Sequence, residues 1–299
     1  MGLTSLQKLK AWANATTATD DAIFARLINQ SSQRILSFIN RPNLGLTTFT
    51  ETMSGRGTRW ISLRNYPVVS IISLTVDTVV IPQSPGVGQY GWTLTPFDGY
   101  QIGRQQELSI DGYVSNWPRG NNNGYGYRGG YMPMDGNHDK AFPRGLNNIT
   151  TVYTAGYCVQ NEAQTIPASP FQLNPLTPTG VFNGDNGVTY ATTGVAFTKV
   201  ASVPAQGQYS LSVNATSGIA TYTFNSADTN ASVLLNYNYV PFDLEQCCID
   251  LAMELYKYRD RIGQTSKTVG GQETTSYTNK MPPHILEVLN NYKTWGFTT

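Results

Sequence analysis

One stretch decides the fold: Val233-Leu-Leu-Asn-Tyr-Asn-Tyr-Val-Pro241-Phe-Asp-Leu-Glu-Gln-Cys-Cys-Ile-Asp-Leu-Ala-Met-Glu-Leu-Tyr-Lys-Tyr258. Before Pro241 apolar and polar side chains alternate, which is the period of a half-buried β-strand. After Pro241, a residue favoured at helix starts, the apolar spacing becomes helical. The predicted helix face consists of Leu244, Cys247, Cys248, Leu251, Leu255, Tyr258 and Ile262, with Gly263 suited to end the helix. The stretch predicts a strand that runs directly into an amphipathic helix, and hence an α+β fold.

The two ends of the chain carry the other helical patterns. A short helix is predicted over 4–13 with Thr4 as its cap, and a longer one from Asp20 to Ile39. A last helix is predicted to start at Pro282-Pro283. Strand-like alternation falls within 47–80, 108–110 and 148–157. Since neither end has enough apolar elements for a complete core, we expect the two ends to fold together.

The middle of the chain has a different composition. Residues 161–240 contain four charged residues, whereas the whole chain has 20 Lys and Arg and 19 Asp and Glu. A proline-rich approach and closely spaced turn residues indicate a small sandwich-like β domain. We therefore predict a core of N- and C-terminal helices packed with a small antiparallel β region, formed by 1–164 and 240–299 and carrying a long loop at 117–146. Residues 165–239 are predicted to be an inserted all-β domain.

Composition excludes several classes of protein. Charged residues make up 13% of the chain, which excludes a charge-rich disordered protein. The net charge is +1, so the overall electrostatic field does not attract nucleic acid or anionic membranes. The three cysteines, Cys158, Cys247 and Cys248, do not form a disulfide framework, and we expect free thiols in a reducing compartment. The sequence has neither a secretory h-region nor a membrane-length apolar run, so we expect no membrane partner.

Motifs for cofactors and metals are weak. The segment Asp135-Gly-Asn137-His-Asp139 starts like a calcium loop, but Lys140 and Leu146 occupy the positions that need Gly and Glu, so an Asx-rich turn is favoured over a cation site. A glycine pattern at 124–129 has no strand before it and no helix after it, as a dinucleotide site requires. We expect no cofactor, no metal and no enzymatic activity. A pair of carboxylates for glycoside hydrolysis stays open, with Asp98, Glu107 and Asp111 as candidates.

A glycine- and asparagine-rich segment contains the most suggestive binding residues. These are Tyr125, Tyr127, Arg128 and Tyr131. Tyr and Arg on adaptable backbone are typical of protein contacts, and they also stack on single-stranded nucleic acid. We favour a protein partner, and keep a purely structural loop and nucleic-acid binding as alternatives.

The order of several short motifs resembles that of the head–tail connector (adaptor) family of tailed double-stranded-DNA bacteriophages. The motifs are Leu3-Thr-Ser-Leu-Gln-Lys-Leu-Lys-Ala-Trp12, Leu63-Arg-Asn-Tyr-Pro67-Val-Val-Ser-Ile-Ile-Ser-Leu74, Thr151-Val-Tyr-Thr-Ala-Gly-Tyr157, Val240-Pro-Phe-Asp-Leu-Glu245 and Tyr258-Arg-Asp-Arg-Ile-Gly263. The likeness covers about 1–110, 140–160 and 240–295. The 117–146 segment and the β insert depart from the family, and the insert resembles small β modules of other phage structural proteins.

The resemblance implies a structural virion protein made in the host cytoplasm and located in the neck. It implies a homo-oligomeric ring, commonly a dodecamer, that binds the portal protein, extends the DNA channel and offers a platform for a tail, nozzle or stopper protein during genome ejection. Double-stranded DNA would pass without specific binding, and no reaction would be catalysed. Tyr292, Trp295 and Phe297 at the C-terminal end are then expected to dock on the portal. A tail-associated glycan-binding or cell-wall-degrading protein is the alternative.

Overall fold

The computed structural model describes residues 2–86, 89–95, 106–111, 141–177, 179–259, 266–269, 273–276 and 281–294. Contacts divide the chain into two compact units. The helix-containing unit comprises Met1–Gly45 with Tyr157–Trp295, and the sheet unit contains Leu46–Gly156. No helix among the described residues is both long and apolar enough to cross a membrane.

The sheet unit consists of seven described strands in two antiparallel sheets. The strands are β1 (Thr47–Gly55), β2 (Trp60–Ser62), β3 (Val68–Val76), β4 (Val79–Ile81), β5 (Gly91–Leu94), β6 (Glu107–Asp111) and β7 (Gly145–Ala155). One sheet has the order β1-β7-β3-β4 and the other the order β2-β6-β5. Their buried side chains form a shared apolar cluster that includes Leu74, Trp92, Leu108, Phe142 and Ile149. The predicted small β region is thus a compact unit with a core of its own.

Seven strands of the helix-containing unit form what we call the two-sheet region, residues 158–241. They are β8 (Cys158–Thr165), β9 (Gln172–Leu173), β10 (Gly180–Tyr190), β11 (Thr198–Val200), β12 (Gln208–Val213), β13 (Ala220–Phe224) and β14 (Ser232–Pro241). The sheet orders are β10-β14-β8 and β11-β12-β13-β9. Aromatic and aliphatic side chains from both sheets meet in one buried cluster. Two further short strands, β15 (Ser266–Val269) and β16 (Glu273–Ser276), pair with each other.

The described helices are α1 (Leu6–Trp12), α2 (Asp21–Phe38), α3 (Phe242–Tyr258) and α4 (Pro283–Tyr292). The prediction of Thr4 as the first cap was wrong: Ser5 caps α1 and accepts a hydrogen bond from the Lys8 N–H, while the Thr4 hydroxyl donates to buried Glu245 at 3.1 Å. Each large apolar side chain that is buried on the inner faces of α2, α3 and α4 stabilises the folded state by about 1.5–3 kcal/mol.

The switch at Pro241 is confirmed. β14 ends at Pro241 and α3 begins at the next residue. Val233, Leu235 and Tyr237 are buried in the strand, as the alternation predicted. Of the predicted helix face, Leu244, Cys247, Cys248 and Leu251 are buried, whereas Leu255 and Tyr258 are half-buried. Ile262 and Gly263 lie outside the described residues.

The fold is mixed α+β, as predicted, but it is mostly β, whereas the sequence analysis had given its core only a small β region. The contact division differs from the predicted boundaries, because the two-sheet region groups with the N- and C-terminal helices while residues 46–156 form the other unit. The predicted boundary at 164/165 falls inside β8, and the one at 239/240 falls inside β14. The insertion of 165–239 as a separate domain stays a prediction.

Candidate protein-interaction surface

The few charged residues of the two-sheet region are engaged in internal contacts. Asp185 has a side chain that is 5% exposed and accepts hydrogen bonds from the hydroxyls of Tyr209 and Tyr222 at 2.8 and 3.0 Å. Lys199 lies 2.9 Å from the same carboxylate. Burial, and then the contact with Asp185, raises the pKa of both tyrosines above the ordinary value.

The other two acids of this segment have the same role. Asp228 is 3% exposed and accepts a hydrogen bond from the Tyr190 hydroxyl at 2.6 Å. Glu162 accepts hydrogen bonds from the hydroxyl of buried Tyr237 and from the Leu176 N–H. All four charged residues of 161–240 thus make contacts inside the unit: Lys199 pairs with Asp185, and the three acids accept hydrogen bonds from tyrosine hydroxyls.

An exposed apolar patch lies in this part of the helix-containing unit. It consists of Leu176, Ile219 and Phe242, which are 70%, 56% and 50% exposed. Ile219 and Phe242 line a cavity of about 130 Å³ together with Pro175 and Thr177, the chain neighbours of Leu176. We call these three residues the apolar patch. Exposed apolar groups gathered at one place are typical of protein-binding surfaces.

Hydrogen bonds hold Leu176 in its exposed position. The Asn174 side-chain amide donates to the Ala220 carbonyl at 2.8 Å, and the Gln164 side chain donates to the Asn174 carbonyl at 3.0 Å. The Thr177 N–H donates to the Tyr237 hydroxyl at 3.1 Å. Because hydrogen bonds join the backbone on both sides of Leu176 to the sheets, this segment loses little conformational entropy when a partner binds.

Ile219 also lies on a well-defined turn. The turn joins β12 to β13, and Gly218 within it has a φ of +73°. The Asn214 side chain accepts hydrogen bonds from the N–H groups of Thr216 and Ser217, and the Thr216 carbonyl accepts one from Gln7 at the start of α1. This network fixes the turn, so the apolar patch is preorganised on two anchored loops and the first residue of α3.

The thiols are placed as structural groups. Cys247 and Cys248 are buried, and burial raises their pKa to about 11 and about 12. Cys248 Sγ lies 3.4 Å from the Ser32 hydroxyl. All three cysteines are free, and within the described ranges no group of three His, Cys, Asp or Glu side chains could hold a metal ion.

Among the predicted partner-binding residues only Tyr292 is described. It is 1% exposed, and its hydroxyl donates to the Asp243 carboxylate at 2.6 Å. Burial and this contact raise its pKa above the ordinary value. A direct contact with a partner would require Tyr292 to leave the core. The predicted residues Tyr125, Tyr127, Arg128, Tyr131, Asp135, Asn137, Asp139, Trp295 and Phe297 lie outside the described residues, so their roles stay predictions.

The candidate acids for glycoside hydrolysis do not assemble into a described site. Glu107 is exposed on β6, Asp98 lies outside the described residues, and nothing is described of the Asp111 side chain. The apolar patch was not predicted from the sequence. Its one sequence signal is Leu176 within a proline-rich stretch, where an apolar residue has no periodic neighbours to bury it.

Residues 185–295 match the family described as HCP: Head completion protein. No curated protein matches the chain closely enough to count as a relative. The matched segment begins in β10 and extends beyond α4, and it includes Ile219 and Phe242 of the apolar patch. This similarity supports a structural role in a bacteriophage particle.

Proposed function

We propose that the protein is a head–tail connector: a ring-forming virion protein that binds the portal, extends the DNA channel and provides the attachment platform for the tail. It catalyses no reaction. The observation that carries the proposal is the match of 185–295 to head completion proteins, a segment that includes Ile219 and Phe242 of the apolar patch. The sequence resemblance to the adaptor family supports the same role.

The apolar patch fits the contact between neighbouring subunits of such a ring. Ring contacts are heterologous, so one patch meets a different surface of the next copy and the rotation closes. Two anchored loops present Leu176 and Ile219, and the cavity beside them offers space for an apolar side chain of the neighbour. Apolar anchors at the centre of an interface carry most of its binding free energy.

The proposal is tested by electron microscopy of the full-length protein mixed with its cognate portal. We expect a closed ring of density on the portal axis, centred on the channel. Substitution of the apolar patch by serine (Leu176→Ser, Ile219→Ser and Phe242→Ser together) should abolish the ring, because each lost anchor costs about 2 kcal/mol per interface.

The matched control is Val195→Ser with Val203→Ser, which removes exposed apolar side chains (59% and 90%) outside the apolar patch. This control should assemble like the wild type. Single off-axis copies on the portal, or no association, would overturn the connector function. A ring formed equally well by the serine variant would leave the function standing and remove the patch from the interface.

A further inference from the structure

The first strand of the sheet unit is a regular edge strand. In the sheet order β1-β7-β3-β4, β1 pairs with β7 on one side, and no described strand pairs with its other side. The register with β7 runs without a shift from Thr47 to Met53. An edge of this kind presents unpaired backbone groups to which a further strand can add.

The hydrogen bonds of β7 show which backbone groups of β1 are unpaired. The Asn148 carbonyl accepts a hydrogen bond from the Asp77 N–H, just after β3, and the Gly156 N–H donates to the Pro67 carbonyl, just before β3. Even-numbered residues of β7 thus direct their backbone groups towards β3. Because the direction alternates along a strand, the odd-numbered residues direct theirs towards β1.

The register then assigns the groups at the free edge of β1. Phe49, Glu51 and Met53 are partners of odd-numbered residues of β7, so their N–H and C=O groups point to β7. The residues between them have exposed, uncharged side chains and form no backbone hydrogen bond with a described residue outside the sheet. The free edge consists of the N–H and C=O groups of Thr48, Thr50 and Thr52.

β1 lacks the features that usually protect an edge strand. Such edges are blocked by proline, by lysine, by bulges or by a very short length. β1 has nine residues without proline or lysine, and its one irregularity lies beyond Met53. Its single charged residue, Glu51, is bound to the Tyr153 hydroxyl and the Asn65 amide. The other edge strand, β4, has only three residues.

The hairpin of β15 and β16 is suited to add to this edge. Its two four-residue strands pair with each other, and neither pairs with β1 or with any other described strand. Val269 is the only apolar residue among these eight. A two-stranded ribbon is marginally stable in water unless a third strand or apolar packing supports it. The hairpin therefore gains stability by joining a sheet.

We propose that the β15–β16 hairpin of one subunit adds to the free edge of β1 in the neighbouring subunit. The edge and the hairpin are different parts of one chain, so the contact is heterologous and its repetition can close a ring. Main-chain hydrogen bonds supply the affinity in this mode of recognition. The inference rests on the proposed connector function, because it names a contact by which the ring forms.

The first test is Thr50→Pro. Proline is tolerated in an edge strand where the N–H faces away from the ladder, so this variant removes a donor of the free edge and keeps the bonds to β7. We expect the fraction of portal particles that carry a ring, counted by electron microscopy, to fall by about tenfold or more, because several main-chain hydrogen bonds are lost. A cooperative melting transition of the variant would show that it is folded.

The matched control is Val80→Pro in β4. A two-residue turn joins the paired residues Val76 and Val79, so the Val80 N–H points away from β3. The control thus introduces the same change at the other edge of the same sheet, and it should form rings as the wild type does. Equal losses in both variants, or rings formed equally well by Thr50→Pro, would overturn the strand addition.

A photo-reactive benzophenone side chain at position 50 would identify what binds at the edge. In rings assembled from labelled and unlabelled subunits, mass spectrometry should find it cross-linked to a peptide from 266–276 of another subunit. Replacement of 266–276 by an equal number of Gly and Ser residues should abolish both the cross-link and the ring. A cross-link to the portal, or to β1 of a second copy, would refute the proposal.

The same measurements separate this inference from the connector function. If the wild type formed no ring on the portal, both proposals would be wrong. If the wild type formed rings and Thr50→Pro formed them equally well, only the strand addition would fail.

Discussion

At the residue scale, the acids of the two-sheet region act as acceptors for buried hydroxyl groups. Tyrosine carries its hydroxyl into an aromatic core, where an unpaired polar group would cost about 1–3 kcal/mol. Asp185 satisfies two such hydroxyls, and Asp228 and Glu162 satisfy one each. A charge-poor segment can thus bury many tyrosines, with its three acids serving as acceptors for their hydroxyls.

Asp185 should matter far more for stability than its ion-pair partner. We expect Asp185→Ala to lower the free energy of unfolding by about 2–4 kcal/mol, because two buried tyrosine hydroxyls lose their acceptor. Lys199→Met should cost less than about 1 kcal/mol, since the Lys199 side chain is 51% exposed and solvent screens the pair. Hydrogen exchange of peptides from β10 and β14 would measure both losses locally.

One outcome of comparing Asp185→Ala with Lys199→Met would contradict this prediction. If Lys199→Met destabilised β10 and β14 as much as Asp185→Ala, the ion pair would be the dominant interaction and the tyrosine hydroxyls would contribute little. Tyr209→Phe provides a further check. Removal of one hydroxyl together with its need for an acceptor should cost less than removal of Asp185.

Sequence alone could predict that Tyr209 and Tyr237 face a core, but not which groups their hydroxyls bind. The alternation around Tyr237 places its side chain in a core, and that prediction is confirmed. Its acceptor Glu162 is 75 positions away, and no local spacing connects the two. The same limit applies to Arg144 and Gly57, which only the pairing of β1 with β7 brings together. Long-range contacts of this kind follow from topology rather than from periodicity.

At the scale of elements, β10 and β14 depend on a close approach at Gly180. This residue pairs with Pro241 at the point where β14 turns into α3. A Cβ atom there would lie 2.2 Å from the Val240 carbonyl oxygen and 2.5 Å from Tyr239 Cδ2. The backbone carbonyl cannot move without opening the ladder, so the strand end tolerates only glycine.

Gly180→Ala should therefore destabilise the protein by about 1–3 kcal/mol, the usual cost of overpacking. The matched control is Gly184→Ala in the same strand, where the nearest neighbour is the end of the Asn238 side chain at 3.4 Å. Urea denaturation of both variants would measure the difference. Similar midpoints for the two would show that the β10 end can shift and that the contact is not a constraint.

Elements were predicted best where one period persisted over several turns or residues. The α3 face and the β14 alternation were predicted because each repeats within one short window. The pairing of β14 with β8 was not predicted, since nothing in either strand specifies its partner. The cap of α1 was missed because Thr4 and Ser5 are chemically equivalent as caps, and the Glu245 side chain that takes the Thr4 hydroxyl lies 241 positions away.

At the scale of the whole molecule, the chain divides into two units, and the apolar patch lies in the helix-containing unit, where it suits protein contacts. The family match lies entirely in the helix-containing unit.

The ends of the sheet unit make its removal a sharp test of that division. Thr47 and Ala155 are register partners in β1 and β7, so the unit starts and ends at one place. In the helix-containing unit the Tyr157 N–H donates to the Leu44 carbonyl at 2.8 Å, so the chain positions on either side of the deletion are already neighbours. We expect deletion of 46–156, bridged by about four Gly and Ser residues, to leave a monomer that melts cooperatively.

The opposite deletion removes residues 165–239, the segment that the sequence analysis predicted to be an inserted domain. Removal of 165–239 takes away β9–β13 and most of β14, and leaves β8 without the strand that it pairs with. We expect this variant to lose its cooperative melting transition. The apolar cluster shared by the two sheets is gone, and most of β14, the strand that leads directly into α3, is missing. Size-exclusion chromatography and circular dichroism of both deletion variants would show which of them folds. A folded protein without 165–239, together with a collapsed one without 46–156, would restore the inserted domain and refute the contact division.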